Sequence, residues 1–313
     1  MIYAWPIGLG GERLLRNFVK RLIGSRLSNA RFLFAAPLAY PPGHFYSPIC
    51  DPIEIARRYR DPWTTTPPSN IPGIDLALNA QIALWESWVP FLAEVRAVTA
   101  NDQSRRYRAP SASYDVGDAI IYTCMLRHLR PARLIEVGSG SSSAVALDTF
   151  DRFFAVPPRA SFIEPYPALL LSLLAPGDKD SVEIIATCVQ EVPPSYFEEL
   201  QRNDILFIDS THIVKTGSDV VYELFEVLPR LRPGVVVHFH DVFYPFEYPR
   251  DWALVRNFSW NELYTLRAFL TGNRDWEIMF FNDYFVRKER ERVAQDAPEI
   301  LPNPGGGLWL RRR

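Results

Sequence analysis

The sequence predicts an α/β fold in which a mainly parallel sheet carries helices on both faces. Apolar segments of strand length alternate with helical patterns between residues 133 and 239. These segments are apolar on consecutive positions, which is typical of parallel strands buried on both faces. The first of them runs into a small turn, Gly138-Ser139-Gly140, that opens a helix and lets backbone N–H groups approach a ligand.

The predicted strands and helices follow one another in a regular order along the chain. The strands are Leu134–Val137, Ala160–Ile163, Val182–Ala186, Ile205–Ile208, Val235–Phe239, Glu277–Phe281 and Leu308–Leu310. The helices between them are Ala144–Phe150, Tyr166–Leu174, Ser195–Gln201, Val220–Leu228 and Asn261–Leu270. Ahead of the sheet, the helical spacing of Leu76–Val98 is interrupted at Pro90, and Asp118–Leu129 forms an amphipathic helix.

The N-terminal part has a different composition. Residues 1–110 are predicted to form a helical and proline-rich cap or arm, and residues 111–313 the main domain. Gly11–Ile23 has the pattern of a basic amphipathic helix, for which a solvated face is the first interpretation and a membrane or partner surface the second. From Ala35 to Pro72 frequent prolines exclude long helices, and the aromatic residues among them favour an ordered arm.

Composition limits the classes of function. The chain has 313 residues, of which 48% are hydrophobic and 22% charged, as in soluble globular proteins. A net charge of −2 gives no electrostatic case for nucleic-acid binding. Three scattered cysteines indicate a reducing, cytoplasmic setting, and no apolar run approaches the roughly 20 residues needed to span a bilayer. The sequence leaves open whether the protein is a homo-oligomer.

Polar residues follow five successive predicted strands. They are Gly138-Ser139-Gly140, Glu164, a segment near Gln190, Asp209-Ser210-Thr211-His212 and His240-Asp241. Ligands of open α/β sheets bind beyond the carboxyl ends of the strands. We therefore expect a ligand site at this edge.

The spacing of these residues favours S-adenosylmethionine as cofactor. A dinucleotide site needs a third glycine, where this chain has Ser143, and an acid about 20 residues on, whereas Glu164 lies further along. A cofactor with a ribose but no phosphate fits better, with the carboxylate of Glu164 accepting both ribose hydroxyls. The predicted cofactor-binding residues are Glu136, Gly138, Ser139, Gly140, Ser141, Glu164, Gln190 and Asp209.

Four segments carry a resemblance to a known family. They are Ile135–Ser142, Ile163–Pro167, Asp204–His212 and Pro233–Asp241. Residues 133–241 resemble a class I methyltransferase, and the chain from roughly residue 40 to the end resembles methyltransferase family 24. The resemblance implies a Rossmann-like seven-stranded sheet with an antiparallel last strand. It also implies S-adenosylmethionine-dependent methyl transfer, and it says little about the substrate.

Two chemical roles are open for the residues after strands four and five. Metal-dependent catechol-type O-methyltransferases, which this layout resembles, place an acid after strand four and an acid–amide pair after strand five. Asp209, His240 and Asp241 occupy the equivalent positions, and histidine in place of an acid favours a softer divalent metal than magnesium. Alternatively, His212 or His240 is a general base oriented by Asp209 or Asp241. His238 is predicted to be a core histidine.

The favoured function is O-methylation of a small or medium polar substrate, of secondary-metabolite or saccharide type. The predicted catalytic residues are His212, His240 and Asp209. The predicted substrate contacts are His44, Tyr46, Tyr114, Asp241, Tyr244 and Tyr248. Two alternatives are a metal-dependent hydrolase or oxygenase that uses the His-x-His-Asp cluster and a non-catalytic, methyltransferase-like binding scaffold.

Overall fold

The computed structural model describes residues 39–58, 63, 66–97, 99, 105–109 and 114–313. The chain divides into two compact units, Met1–Asp51 and Pro52–Arg313. The unit that contains the sheet begins at Pro52. The domain boundary predicted between residues 110 and 111 stays a prediction. The amphipathic helix predicted at Gly11–Ile23 lies outside the described residues. None of the helices within the described ranges is long and apolar enough to cross a membrane.

A seven-stranded sheet forms the centre of the second unit. Its strands are β1 (Arg133–Val137), β2 (Arg159–Ile163), β3 (Glu183–Ile185), β4 (Ile205–Ile208), β5 (Val236–Phe239), β6 (Trp276–Phe281) and β7 (Leu308–Arg312). Their order is β3-β2-β1-β4-β5-β7-β6. Strands β1 to β5 are parallel, whereas β7 is antiparallel to both β5 and β6. The predicted seven strands and the antiparallel last strand are confirmed.

Helices cover both faces of this sheet. They are α1 (Pro52–Arg58), α2 (Leu78–Trp88), α3 (Leu92–Arg96), α4 (Val116–Leu129), α5 (Ser141–Phe153), α6 (Ala168–Leu173), α7 (Asp178–Ser181), α8 (Asp219–Tyr222), α9 (Glu262–Leu270), α10 (Asn282–Lys288) and α11 (Arg290–Asp296). Pro90 lies in a 3₁₀ turn between α2 and α3, as its missing N–H predicts. The helix predicted at Val220–Leu228 continues beyond α8 as a π turn, Glu223–Val227.

Two hydrophobic cores lie on opposite faces of the sheet because successive side chains of a strand point in opposite directions. Leu134 belongs to the core that packs under α4 and α5, whereas Ile135 belongs to the other core. The strand ends are nearly level, since Val137 is paired with Ile163 on one side and with Ile208 on the other. The polar segments that follow these strands therefore meet at one edge.

Candidate active site

The turn after β1 fits closely against the end of β4. Gly138 has a φ of +78°, and a Cβ on it would lie 1.9 Å from the backbone oxygen of Asp209. The amide of Asp209 donates to the oxygen of Val137 at 2.9 Å. Only glycine combines this left-handed conformation with so close a contact. The absence of a side chain at Gly138 therefore brings Asp209 next to the glycine turn.

Glu136 supports this turn from inside the core. Its side chain is 0% exposed, and its Oε1 accepts hydrogen bonds from the hydroxyls of Ser142 at 2.5 Å and Ser143 at 2.9 Å. Burial raises the pKa of Glu136 to about 8, against the opposing effect of the two hydroxyls. Glu136 thus holds the first turn of α5, and it is not part of the cavity lining described next.

A cavity of about 420 Å³ lies over the ends of β1, β2 and β4. Four of the predicted cofactor residues line it, namely Gly138, Glu164, Gln190 and Asp209. Glu164 is fixed by two backbone donors, Ser139 N to Oε2 at 3.3 Å and Tyr166 N to Oε1 at 2.8 Å. Gln190 donates from Nε2 to the oxygen of Gly217 at 3.0 Å.

Near the 420 Å³ cavity, some predicted residues do not line it and some lining residues were not predicted. Ser139, Gly140 and Ser141 form the turn and the start of α5, and they are not among the lining residues within the described chain. Tyr166, Cys188 and Lys215 line the cavity and were not predicted. Tyr166 and Cys188 follow β2 and β3 in segments the sequence did mark as strand ends, whereas Lys215 lies in a loop without a motif.

A second cavity, of about 770 Å³, lies on the other side of the loop that follows β4. It is lined by acids, histidines, aromatic rings and a glycine-rich segment: Tyr114, Asp115, Asp118, Asp209, Ser210, Thr211, His212, His240, Asp241, Phe243, Pro249, Trp252, Arg256, Phe258, Trp260, Asn303, Gly305 and Gly306. Three residues, Asp209, Ser210 and Thr211, line both cavities. The two cavities therefore adjoin at this loop.

Two histidines face a pair of aspartates in the larger cavity. His212 Nε2 lies 3.4 Å from Asp209 Oδ1 and 3.4 Å from Asp241 Oδ2. His240 Nδ1 lies 3.4 Å from Asp209 Oδ1 and 3.5 Å from Asp241 Oδ1. One potential ligand atom each of Asp209, His240 and Asp241 lies within 4.8 Å of the others, so these three residues could hold a metal ion. His212 and Asp241 also have positive φ values, 60° and 59°.

Each histidine turns its other nitrogen towards an outer carboxylate. His212 Nδ1 lies 2.8 Å from Glu262 Oε2, at the start of α9. His240 Nε2 lies 3.7 Å from Asp118 Oδ2, on α4. The amides of Asn261 and Glu262 both donate to the oxygen of His212, at 3.1 and 3.2 Å. The sequence analysis did not predict Asp118 or Glu262, because both lie in helices and neither directly follows a strand.

The electrostatics of the four central groups reflect this crowding of carboxylates. Burial opposes the charging of His212, but hydrogen bonds with Asp209 and Glu262 raise its pKa to about 10. Burial likewise opposes the charging of His240, and Asp241 and Asp209 nevertheless raise its pKa above the usual range. Burial also opposes the ionisation of Asp209, but the two histidines lower the pKa of this carboxyl. For Asp241 the effect of burial is larger, and its pKa is raised.

Aromatic residues form part of the wall of the larger cavity. Phe258 stacks on Trp260 with ring centroids 4.4 Å apart, and Trp252 stands at 83° to Trp260. The ring of Trp260 lies 4.5 Å from His212. All three lie between β5 and the helix predicted at Asn261–Leu270, in a stretch to which the sequence analysis assigned no role.

The predicted substrate residues fall into three groups. Tyr114 and Asp241 line the larger cavity, and the ring of Tyr114 lies 5.2 Å from His240. Tyr244 and Tyr248 lie in the core, outside that lining, because burial of their rings stabilises the segment. The hydroxyl of Tyr244 donates to Pro68 O, and that of Tyr248 accepts from Leu263 N at 3.2 Å.

His44 and Tyr46 belong to the first compact unit, so their contact with a substrate stays a prediction. Within that unit the amide of Tyr46 donates to His44 Nδ1 at 3.1 Å. His238 is buried between Phe207 and Trp309, with ring centroids 4.2 and 4.3 Å away, as predicted for a core histidine. Burial holds its pKa well below the usual range, so its ring is neutral.

Comparison with known proteins agrees with this fold. A family model for a methyltransferase domain, that of family 24, matches residues 135–242. An uncharacterised protein of Archaeoglobus fulgidus is 32% identical over 169 residues, which are 53% of this chain and 76% of the archaeal one. Two solved structures are similar with TM-scores of 0.41: SAH-bound PaMTH1 of Podospora anserina and the O-methyltransferase TomG of Streptomyces achromogenes in complex with SAM. PaMTH1 is 14% identical in sequence, and the match covers 80% of this chain and 92% of PaMTH1. TomG is 15% identical, and the match covers 74% of this chain and 88% of TomG.

The family match and the seven-stranded sheet identify a methyltransferase domain of class I. The family match covers β1 to the segment after β5, which includes the glycine turn, Glu164 and the His/Asp cluster. Residues 135–242 match the methyltransferase domain of family 24, and the chain is related to the Archaeoglobus fulgidus protein.

Proposed function

We propose that this protein is an O-methyltransferase that acts on a small or medium polar substrate of secondary-metabolite or saccharide type. The observation that carries the proposal is the meeting of two cavities, of about 420 and 770 Å³, at Asp209, Ser210 and Thr211. Both volumes are in the range of small-molecule sites. Methyl transfer needs a donor and an acceptor held in line across a short gap, and adjoining cavities allow this.

The smaller cavity fits the cofactor. S-adenosylmethionine, when bound, supplies a methyl group on a positively charged sulfur. Glu164 is suited to accept hydrogen bonds from ribose hydroxyls, because two backbone amides already fix its carboxylate at the cavity wall. Gly138 lines this cavity and lets the backbone of Asp209 pack beside β1, and Asp209 lies where the two cavities adjoin. Glu136 acts indirectly, by holding the turn that carries Gly138.

The cluster in the larger cavity favours a divalent cation over a direct histidine base. Asp118 and Glu262 are buried and Asp209 and Asp241 partly so. Within the described residues each of these carboxylates forms ion pairs with His212, His240 or both, and none with lysine or arginine. This surplus of carboxylates supplies the negative charge that a divalent cation needs, and the histidines offer nitrogen donors once the cation displaces their protons.

We assign Asp209, His240 and Asp241 as ligands of that cation. When bound, it lowers the pKa of an acceptor hydroxyl at the cavity wall. His212, held by Glu262, orients the hydroxyl from the opposite side of the aspartates. The rings of Trp252, Phe258 and Trp260 offer a flat apolar surface for the rest of the substrate, so the acceptor has one polar and one apolar face.

Cofactor binding is tested by Glu164→Ala. Calorimetry with S-adenosylhomocysteine should show binding by the unmodified protein and loss of affinity by at least about 30-fold in the variant, because a charge-assisted pair of hydrogen bonds contributes a few kcal/mol. Glu191→Ala is the matched control, since Glu191 lies in the 3₁₀ turn beside Gln190 but outside the cavity lining. Equal affinities of both variants and the unmodified protein would refute the cofactor assignment.

Catalysis is tested by the release of S-adenosylhomocysteine over a panel of hydroxylated acceptors, with and without divalent ions. We expect turnover with at least one phenol or saccharide. Cofactor binding without turnover on any acceptor would favour the binding scaffold. Tightly held zinc or iron without cofactor affinity would favour the hydrolase or oxygenase alternative.

A further inference from the structure

We propose that Asp209, His240 and Asp241 form a transition-metal centre that prefers ions such as Co²⁺ or Zn²⁺ to Mg²⁺, that Asp118 orients its histidine, and that Glu262 orients the neighbouring His212. The proposal rests on the function assigned above, in which these residues hold a cation. It adds the chemical class of the ion and the roles of two carboxylates from helices outside the strand ends.

The donor set is the first step. Magnesium prefers an all-oxygen site of carboxylates and water, whereas imidazole suits zinc, cobalt and iron. His240 Nδ1 lies 3.4 and 3.5 Å from one oxygen each of Asp209 and Asp241. These distances exceed those of ordinary hydrogen bonds. They are close to the separation of two ligands on one ion, roughly 3 to 3.5 Å for metal–ligand bonds of about 2.1 Å.

The surroundings of His240 are the second step. Its side chain is 4% exposed, and neither ring nitrogen has a hydrogen-bond partner among the described residues. An unpartnered buried polar group costs about 1–3 kcal/mol, so a ligand for it is expected. The ring points Nδ1 at the two aspartates, where a metal ion would satisfy it.

The outer carboxylates are the third step. Asp118 Oδ2 faces His240 Nε2, and a proton on Nε2 leaves the lone pair on Nδ1 for a metal. Asp118 packs closely against Gly305, where a Cβ would lie 1.8 Å from Asp118 Oδ1. His212 repeats the pattern, with Nδ1 on Glu262 and Nε2 facing both aspartates.

The test uses full-length protein stripped of metal by chelation. Calorimetry with Zn²⁺ and Mg²⁺, and the visible absorption of added Co²⁺, should show Zn²⁺ and Co²⁺ bound about 100-fold or more tightly than Mg²⁺. His240→Asp restores an all-carboxylate set and should bring Zn²⁺ and Mg²⁺ to within about tenfold of each other, with binding of S-adenosylhomocysteine unchanged. His128→Asn, on α4 and outside the cluster, should behave like the unmodified protein.

Two results would overturn the proposal. One is equal or tighter binding of Mg²⁺ by the unmodified protein. The other is no binding of any of the three ions by protein that still binds S-adenosylhomocysteine, which leaves the cofactor assignment intact. If His240→Asp does not fold, Asp118→Asn serves instead. It keeps every ligand and should weaken Co²⁺ binding by about 10- to 100-fold, and unchanged affinity would equally contradict the arrangement.

Discussion

Replacing Glu136 with glutamine should stabilise the protein at high pH and change little at low pH. Burial raises the pKa of Glu136 in the folded protein to about 8 from an ordinary 4.5, so the unfolded chain releases its proton first as the pH rises. The contribution of Glu136 to stability is therefore full below about pH 4.5 and is lost as the pH rises through 8. Glutamine has the shape of the protonated acid and does not titrate.

The size of the effect follows from the interval in which only the unfolded chain is ionised. At about 1.4 kcal/mol per pH unit, and with ionisation incomplete at both ends of the interval, the unmodified protein loses about 3.5 kcal/mol relative to Glu136→Gln between pH 5 and pH 8. Urea unfolding of both proteins at several pH values, with chelator present, measures this difference. In the variant, the hydroxyls of Ser142 and Ser143 still donate hydrogen bonds to the glutamine oxygen.

Glu183→Gln is the matched control for that experiment. Its hydrogen bond with Tyr196 lowers the pKa of Glu183, so the group is ionised in both states above about pH 5. The stability difference between Glu183→Gln and the unmodified protein should therefore be flat from pH 5 to pH 8. A flat difference for Glu136→Gln as well would refute the placement of a neutral, buried Glu136 under the glycine turn.

Two further changes probe the site. Gly138→Ala should lower the free energy of unfolding in urea by about 3 kcal/mol and abolish binding of S-adenosylhomocysteine, because the new Cβ meets the Asp209 backbone. Gly177 has a similar φ but open space around it, so Gly177→Ala should lower the free energy of unfolding by only about 1 kcal/mol. Glu262→Ala should lower methyl transfer about 10- to 100-fold without changing S-adenosylhomocysteine affinity, and Tyr248→Phe, which alters the same end of α9, should not. Equal effects within either pair would contradict the contacts assigned here.

The strands, their order along the chain and the edge of the site could be predicted because they depend on local patterns. Ile205–Ile208 is apolar throughout, and Asp209 must follow it at the sheet edge. The carboxylates Asp118 and Glu262 could not be predicted in the same way. Their roles arise from the packing of α4 and α9 against the strand ends. This packing joins Glu262 to His212, 50 residues away, and Asp118 to the still more distant His240, and it leaves no motif.

Tyr244 and Tyr248 were predicted to contact the substrate, and the structure places them elsewhere. Their composition suggests a binding loop, yet tertiary packing turns both rings into the core. Trp252 and Trp260, from the same stretch, line the cavity instead. Aromatic content alone does not distinguish the two outcomes, because both burial and ligand contact favour the same residue types.

The insertion of β7 between β5 and β6 has a consequence for the order of assembly during synthesis. Strand β6 pairs with β7 alone among the described strands, so it gains its neighbour only after residue 308 has left the ribosome. Asn303, Gly305 and Gly306, which line the larger cavity, emerge just before it. A nascent chain can therefore complete β1 to β4 and the smaller cavity early, whereas the larger cavity must wait for a long-range pairing that forms slowly.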